Sequence, residues 1–295
     1  MKNTLQERST HLLSTAISAA LYAGLEILKI FNKEGGELEL EYKRDNSPLT
    51  AADRNAHHCI KDYLLDQTAD IPFLSEEGRD IPYEERKRWE YFWLVDPLDG
   101  TKEFIKRNGE FTVNIALIRR QKPYLGVVYV PVKDNLYFAA CGMGSFRLCR
   151  AEESLKQWGD YGFIDLPRLI SKAQRLPLPS IDPAPSTQHP TIRVAVSRSH
   201  FNPATEKFIE DLKRRYQEVE LIVAGSSVKL CLVAEGTAQL HPRTGRTMEW
   251  DTAAGQAIVE QAGGSVTAIE SLKPLLYNKE NLENPPFLAE SSTMG

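Results

Sequence analysis

Six consecutive residues, Asp96-Pro97-Leu98-Asp99-Gly100-Thr101, hold the densest chemistry in this chain of 295 residues. Two carboxylates stand three residues apart, with a proline between them and a Gly-Thr step behind. Pro97 fixes its own φ and restricts Asp96, and Gly100 allows a tight backbone path. Such a turn can aim Asp96 and Asp99 at one point and bring the Leu98 carbonyl alongside. Three converging oxygens suit a hard cation such as Mg²⁺. Taken alone, D-P-x-D-G is a plain turn more often than a metal site, because Asp, Pro and Gly are ordinary turn residues. The other acids of the chain decide between the two.

Three further acidic positions have comparable placement. Glu76 and Glu77 follow the apolar run Ile71 to Leu74. Asp53 falls in the first turn of a helix that opens at Ser47-Pro48-Leu49-Thr50. Asp251, in Glu249-Trp250-Asp251-Thr252-Ala253-Ala254-Gly255, opens another. Each also has an ordinary role: a solvated pair for the glutamates, a dipole-favoured position for Asp53, an N-cap for Asp251.

The elements that must position these acids follow from periodicity. Leu13, Ile17, Leu21, Leu25 and Leu28 predict an amphipathic helix over 5–32, ended by Gly35-Gly36. A strand is expected over 38–42, a helix reaching about Leu65, a short strand over 71–74 and another over 91–95. The acids at 96 and 99 then lie where the chain leaves the sheet. Runs at 111–118, 125–130 and 135–140 predict an antiparallel meander. Prolines crowd the stretch 151–190, as in Leu176-Pro177-Leu178-Pro179 and Asp182-Pro183-Ala184-Pro185, which reads as an excursion or linker. Beyond it, strands at 192–196, 219–223, 238–241 and 265–268 alternate with helices at 203–216, 227–234 and 251–262. The expected division is an N-terminal α+β domain over 1–150 with most of the metal ligands, a linker over 151–190, and a C-terminal α/β domain over 191–295 that completes the site. His57 and His58 are expected on a helix surface.

Bulk properties narrow the function classes. Hydrophobic residues at 42% and charged residues at 26% fit a soluble globular protein. A net charge of −4 gives no basis for binding a nucleic-acid polymer or an anionic membrane. An anionic substrate would therefore need local neutralisation. Cys59, Cys141, Cys149 and Cys231 form no C-x-x-C pair, which points to reduced thiols in a cytoplasmic protein. No apolar run is expected to approach membrane-spanning length, and Met1 to His11 carries no signal-peptide pattern. Peripheral membrane association stays open. No G-x-S-x-G motif offers a competing serine nucleophile.

Taken in order, Ser75-Glu76-Glu77, Asp96-Pro97-Leu98-Asp99-Gly100-Thr101 and Trp250-Asp251-Thr252-Ala253-Ala254-Gly255 with Gly263-Gly264 resemble the signature of the inositol-monophosphatase-like superfamily. Its members are lithium-sensitive, magnesium-dependent phosphatases. The segments from Asp45 to Asp53, Lys102-Glu103-Phe104, Ser197-Arg198-Ser199-His200 and Gly225-Ser226-Ser227-Val228-Lys229 are similar to its CysQ-type branch of 3′(2′),5′-bisphosphate nucleotidases.

The resemblance implies a layered αβαβα sandwich that joins α+β and α/β parts. It implies hydrolysis of adenosine 3′,5′-bisphosphate to AMP and phosphate by a metal-activated water. Alternatives are an inositol monophosphatase or sugar phosphatase, and, in a different class, a non-catalytic nucleotide-binding regulatory protein. Glu76, Asp96, the Leu98 carbonyl, Asp99 and Asp251 would hold two or three Mg²⁺ ions, with Asp96 bridging. Asp53 and Thr101 would orient and deprotonate the water. The scissile phosphate would sit among Glu76, Leu98, Asp99, Gly100, Thr101 and Asp251. Ser197, His200, Gly225, Lys229 and Arg243 would contact the rest of a small phosphorylated nucleotide. Arg243 stands near the place where inositol enzymes carry a glutamate, and a cation suits a second phosphate better than a polyol. The superfamily often dimerises, so a homodimer is compatible with the resemblance.

Overall fold

The computed structural model describes residues 2–33, 40–42, 48–156, 162, 164–179, 191–198 and 202–294. Helix α1 (Lys2–Phe31) is followed by the short hairpin β1 (Leu40–Tyr42) and β2 (Pro48–Thr50), and by helix α2 (Ala51–Gln67). A seven-stranded sheet comes next. Its strands are β3 (Phe73–Ser75), β4 (Tyr91–Asp99), β5 (Thr112–Arg119), β6 (Lys122–Val130), β7 (Asn135–Ala140), β8 (Gly144–Cys149) and β9 (Gln174–Arg175). They lie in sequence order, with β3 parallel to β4 and every other neighbour antiparallel. The short helices α3 (Tyr83–Arg86), α4 (Thr101–Ile105), α5 (Ala151–Lys156) and α6 (Leu166–Lys172) fill the connections.

A second, five-stranded sheet holds β10 (Thr191–Ser197), β11 (Glu218–Ala224), β12 (Leu240–Arg243), β13 (Ser265–Ala268) and β14 (Phe287–Glu290), in the order β11-β10-β12-β14-β13. Helix α7 (Pro203–Lys213) packs on one face of it. Helices α8 (Val228–Glu235) and α9 (Glu249–Gln261) lie between the two sheets. Helices α1 and α2 cover the far face of the first sheet. The layers therefore run helix, sheet, helix, sheet, helix, as the resemblance implied.

Helix α1 corrects one expectation. The span Glu7–Phe31 is long and apolar enough to cross a membrane. Its apolar face is already used, since 67% of that window is buried. Leu13, Ile17, Leu21 and Ile27 pack into the core with α2 and the first sheet. The stretch 151–190 differs from a uniform excursion. Its described parts form α5, α6 and β9, and Leu155, Leu166 and Leu169 are buried in the first core. His57 also differs from expectation. It sits one turn after Asp53 on the buried face of α2, with Nδ1 3.0 Å from Ser75 Oγ, while His58 is exposed.

The sandwich brings α9 down onto the first sheet at Gly126 of β6. A Cβ there would stand 2.4 Å from the Ala254 carbonyl, so the helix and strand backbones can meet only across a glycine. That contact lies one turn beyond Asp251 and sets the height of the helix N-terminus above β4.

Candidate active site

The Asp-rich segment is not a turn that leaves the sheet. Strand β4 runs through it to Asp99. Asp96 pairs with Asn114 and Asp99 with Thr112, so three steps on β4 oppose two on β5. This bulge accommodates Pro97, which has no N–H to give a ladder. Leu98 N–H donates instead to Asp96 Oδ1 at 3.1 Å. Gly100 then takes φ 91°, a left-handed conformation that favours glycine, and α4 begins at Thr101.

Parallel pairing places the next acid. Glu76 follows β3, and its N–H donates to the Val95 carbonyl at 3.1 Å, which sets Glu76 beside the Asp96 end of β4. Asp251 comes from the first turn of α9, where its Oδ2 accepts the Met248 N–H at 2.9 Å. Carboxylate oxygens of Glu76, Asp96 and Asp251 all lie within 4.8 Å of one another. Asp99 and the Leu98 backbone line the same cavity, but Asp99 stands outside that trio.

Asp53 reconciles its two readings. It is the third residue of α2 in a capping box, accepting from Thr50 N–H at 2.7 Å and Thr50 Oγ1–H at 2.5 Å through Oδ2. Its other oxygen, Oδ1, accepts from Thr101 Oγ1–H at 3.1 Å. The helix cap thus fixes a buried carboxylate against the hydroxyl that follows the Asp-rich strand.

The cavity spans about 270 Å³ and has two chemical ends. The acids form one. The other is built from the second sheet and α8, and holds Ser197, Gly225, Lys229, His241 and Arg243. His200 lies outside the described residues. Lys229 is buried, and its Nζ donates to the Ser226 carbonyl at 2.6 Å and the Ala224 carbonyl at 3.4 Å. Burial pushes its pKa down to about 8, against an opposing pull from the Asp99 charge. Burial also lowers Arg243, whose Nε has no hydrogen-bond partner among the described residues. His241 donates from Nδ1 to the Ala195 carbonyl at 2.8 Å. Burial, then the Lys229 and Arg243 charges, lowers its pKa to about 3, so the ring is neutral at ordinary pH.

One side chain in this site escaped the motif reading, and two more, Asn114 and Ser227, carry no role in it although Ser227 lies in the Gly225–Lys229 segment. His241 lines the cavity within a stretch noticed only for Arg243. Asn114 and Ser227 stand between the acids: Asn114 Nδ2 is 3.3 Å from Asp99 Oδ2 and 2.8 Å from Ser227 Oγ. Ser227 Oγ is 2.7 Å from Asp99 Oδ2 and 2.8 Å from the Asp251 carbonyl. The available signal was polar Thr112 and Asn114 on alternate positions of an otherwise apolar strand.

The donor set suits a hard divalent cation. Every ligand atom on offer is an oxygen, and the carboxylates crowd one another. Burial first, then the Asp99 and Glu76 charges, raises Asp251 well above the usual carboxylate range. A cation among these groups would offset that repulsion.

The sequence model of the inositol monophosphatase family matches residues 8–291. The 3′(2′),5′-bisphosphate nucleotidase CysQ of Escherichia coli K12 is 42% identical over 278 residues, 94% of this chain and 98% of the relative. The CysQ of Haemophilus influenzae is 32% identical over 94% and 92% of the two chains. Among solved structures, CysQ from Bacteroides thetaiotaomicron superposes with a TM-score of 0.80 at 48% identity, covering 94% of this chain and 96% of that one. The IMPase of Thermotoga maritima, 22% identical with a TM-score of 0.67, shares the fold. The chain belongs to the inositol monophosphatase family.

Proposed function

We propose that this chain is a Mg²⁺-dependent 3′(2′),5′-bisphosphate nucleotidase, a phosphoric monoester hydrolase that converts adenosine 3′,5′-bisphosphate to AMP and phosphate. The observation that carries the reading is the two-ended cavity, with an acid trio and the Asp53–Thr101 pair at one end and buried Lys229 with half-buried Arg243 at the other. A substrate with one phosphate to cleave and a second to hold matches that layout. The 42% identity to CysQ nucleotidases supports the same choice.

Glu76, Asp96, Asp251, Asp99 and the Leu98 carbonyl would hold the cations, two or three in number. Bound Mg²⁺ would polarise the phosphoryl group and acidify the attacking water. Thr101 Oγ accepts a proton from that water as it passes its own to Asp53 Oδ1. The Thr50 donors hold the Asp53 carboxylate in place for this transfer. Gly100 and Thr101 bring main-chain groups to the scissile phosphate. Lys229 and Arg243 neutralise the second phosphate, with Ser197 and Gly225 beside the nucleoside. The four cysteines are unpaired thiols, which fits a reducing cytoplasm.

Phosphate release from adenosine 3′,5′-bisphosphate and from inositol 1-phosphate, each with and without Mg²⁺, tests the reading. Mg²⁺-dependent turnover favouring the bisphosphate is expected. Faster turnover of inositol 1-phosphate would make the chain an inositol phosphatase, and no turnover of either would leave a binding protein.

A further inference from the structure

We infer that Ser227 and Asn114 are positioning residues that hold Asp99 to a single ligating oxygen and so set the site's preference for a small cation. The inference rests on the metal-site reading above. Asp99 Oδ2 receives the Ser227 hydroxyl at 2.7 Å and an Asn114 amide proton at 3.3 Å. Both directions open to that oxygen are taken by protein donors. Oδ1 accepts no hydrogen bond among the described residues, and it is the oxygen left for a cation.

Asn114 also lies, through the same Nδ2, 2.8 Å from Ser227 Oγ. Its own Oδ1 is buried with no hydrogen-bond partner among the described residues. An orphaned buried acceptor calls for a compensating role. An apolar side chain would fill this place on β5 without that cost, so packing alone does not account for an asparagine. Ser227 adds reach. It occupies the N-cap position of α8 without a side-chain capping bond, and its Oγ lies 2.8 Å from the Asp251 carbonyl in the first turn of α9. Its single hydroxyl proton, given to Asp99 Oδ2, ties the start of α8 to the strand that carries a candidate ligand.

The consequence is ionic selectivity. Mg²⁺ takes single oxygens at about 2.0–2.1 Å in a strict octahedron, whereas Ca²⁺ accepts more oxygens and bidentate carboxylates. A carboxylate with one oxygen already occupied serves the first geometry fully and denies Ca²⁺ the bidentate contact that would raise its oxygen count. Calorimetric titration of the purified protein with Mg²⁺ and, separately, with Ca²⁺ tests this without turnover. Ser227→Ala is expected to weaken Mg²⁺ binding about tenfold or more. It should weaken Ca²⁺ binding less, because the released Oδ2 can join a bidentate contact. Asn114→Val is expected to lower the same Mg²⁺-to-Ca²⁺ preference without lowering the melting temperature of the metal-free protein. Equal weakening of both ions, unchanged Mg²⁺ binding, or a lowered metal-free melting temperature with unchanged preference overturns the inference and leaves the nucleotidase reading intact. A wild-type protein that binds neither ion overturns both.

Discussion

The acid end of the cavity and its basic end differ in how they are assembled. Glu76, Asp96 and Asp99 come from adjoining strands of one sheet, where parallel pairing and a single bulge fix their spacing. Lys229 and Arg243 come from a helix and a strand of the second sheet, and share no local motif. Their charges also bear differently on the fold. Burial is the main force on both, but at Asp251 the Asp99 and Glu76 charges add to its upward push, whereas at Lys229 the Asp99 charge opposes its downward one. The acid end repels itself until a cation arrives. The basic end is desolvated but partly compensated by the acids across the cavity. On the proposed reading one end serves chemistry and the other recognition, and substitutions should separate the two.

The largest effect belongs to Asp96. Asp96→Asn keeps the shape of a buried residue and removes one of the crowded charges. Activity is expected to fall about 10³-fold or more, on the order of 4 kcal/mol of transition-state stabilisation. The metal-free melting temperature is expected to hold or rise, since a repelling charge has gone. Phosphate-release kinetics and thermal melting in chelator check both. Retained activity would remove the acid end from the chemistry and break the contrast.

The basic end should show up in substrate affinity instead. Lys229→Met is expected to raise KM for the bisphosphate about 10- to 100-fold, the loss of a charge-assisted contact of about 1.5–3 kcal/mol. Its kcat should change little. The wild-type pH profile sharpens this. With a pKa near 8, Lys229 is charged below pH 8 and neutral above it, so kcat/KM for the bisphosphate should fall as pH rises through about 8. That break should vanish in Lys229→Met. Stability runs the other way. The folded chain holds fewer protons than the unfolded one between pH 8 and the ordinary lysine value, so the folding penalty is full below pH 8 and lifts as pH rises. A matching break in the Met variant would assign the titration elsewhere.

The same contrast explains what the sequence made legible. The acid end is written in short motifs, because adjoining strands and helix starts convert sequence neighbours into spatial ones. Asp96-Pro97-Leu98-Asp99 therefore named its site, even though the expected turn proved to be a bulged strand. Helix and strand periodicity gave most of the elements in the same way, while their layer order came from the family resemblance. Long-range partners carry no such signature. Asn114 meets Ser227 across 113 residues, and nothing local to either announces the pair. Strand β14 also escaped, since four residues between two sheet neighbours leave little period to read. His57 looked like surface because its burial depends on β3 packing against α2, a tertiary fact.

The smallest effect is expected where the two ends are joined. Glu110, just before β5, accepts two bonds from Arg198 at 3.0 Å and the Gly225 N–H at 2.8 Å. It thus pins the turn that leads into Ser227 and Lys229 to the sheet that carries the acids. Burial works to raise the Glu110 pKa, but the Arg198 bonds and the Gly225 N–H outweigh it and the carboxyl is lowered. Arg198 is 42% exposed, so solvent screens much of the pair and leaves it little net worth. Glu110→Gln keeps an acceptor for Gly225 and removes the ion pair. KM for the bisphosphate is expected to rise about two- to fivefold, with kcat and the Mg²⁺ requirement unchanged. Glu110→Ala also orphans the Gly225 N–H and should cost more. If Glu110→Gln instead raised the Mg²⁺ requirement, the tether would act on the acid end, and the division between chemistry and recognition would fail at the point where the sheets meet.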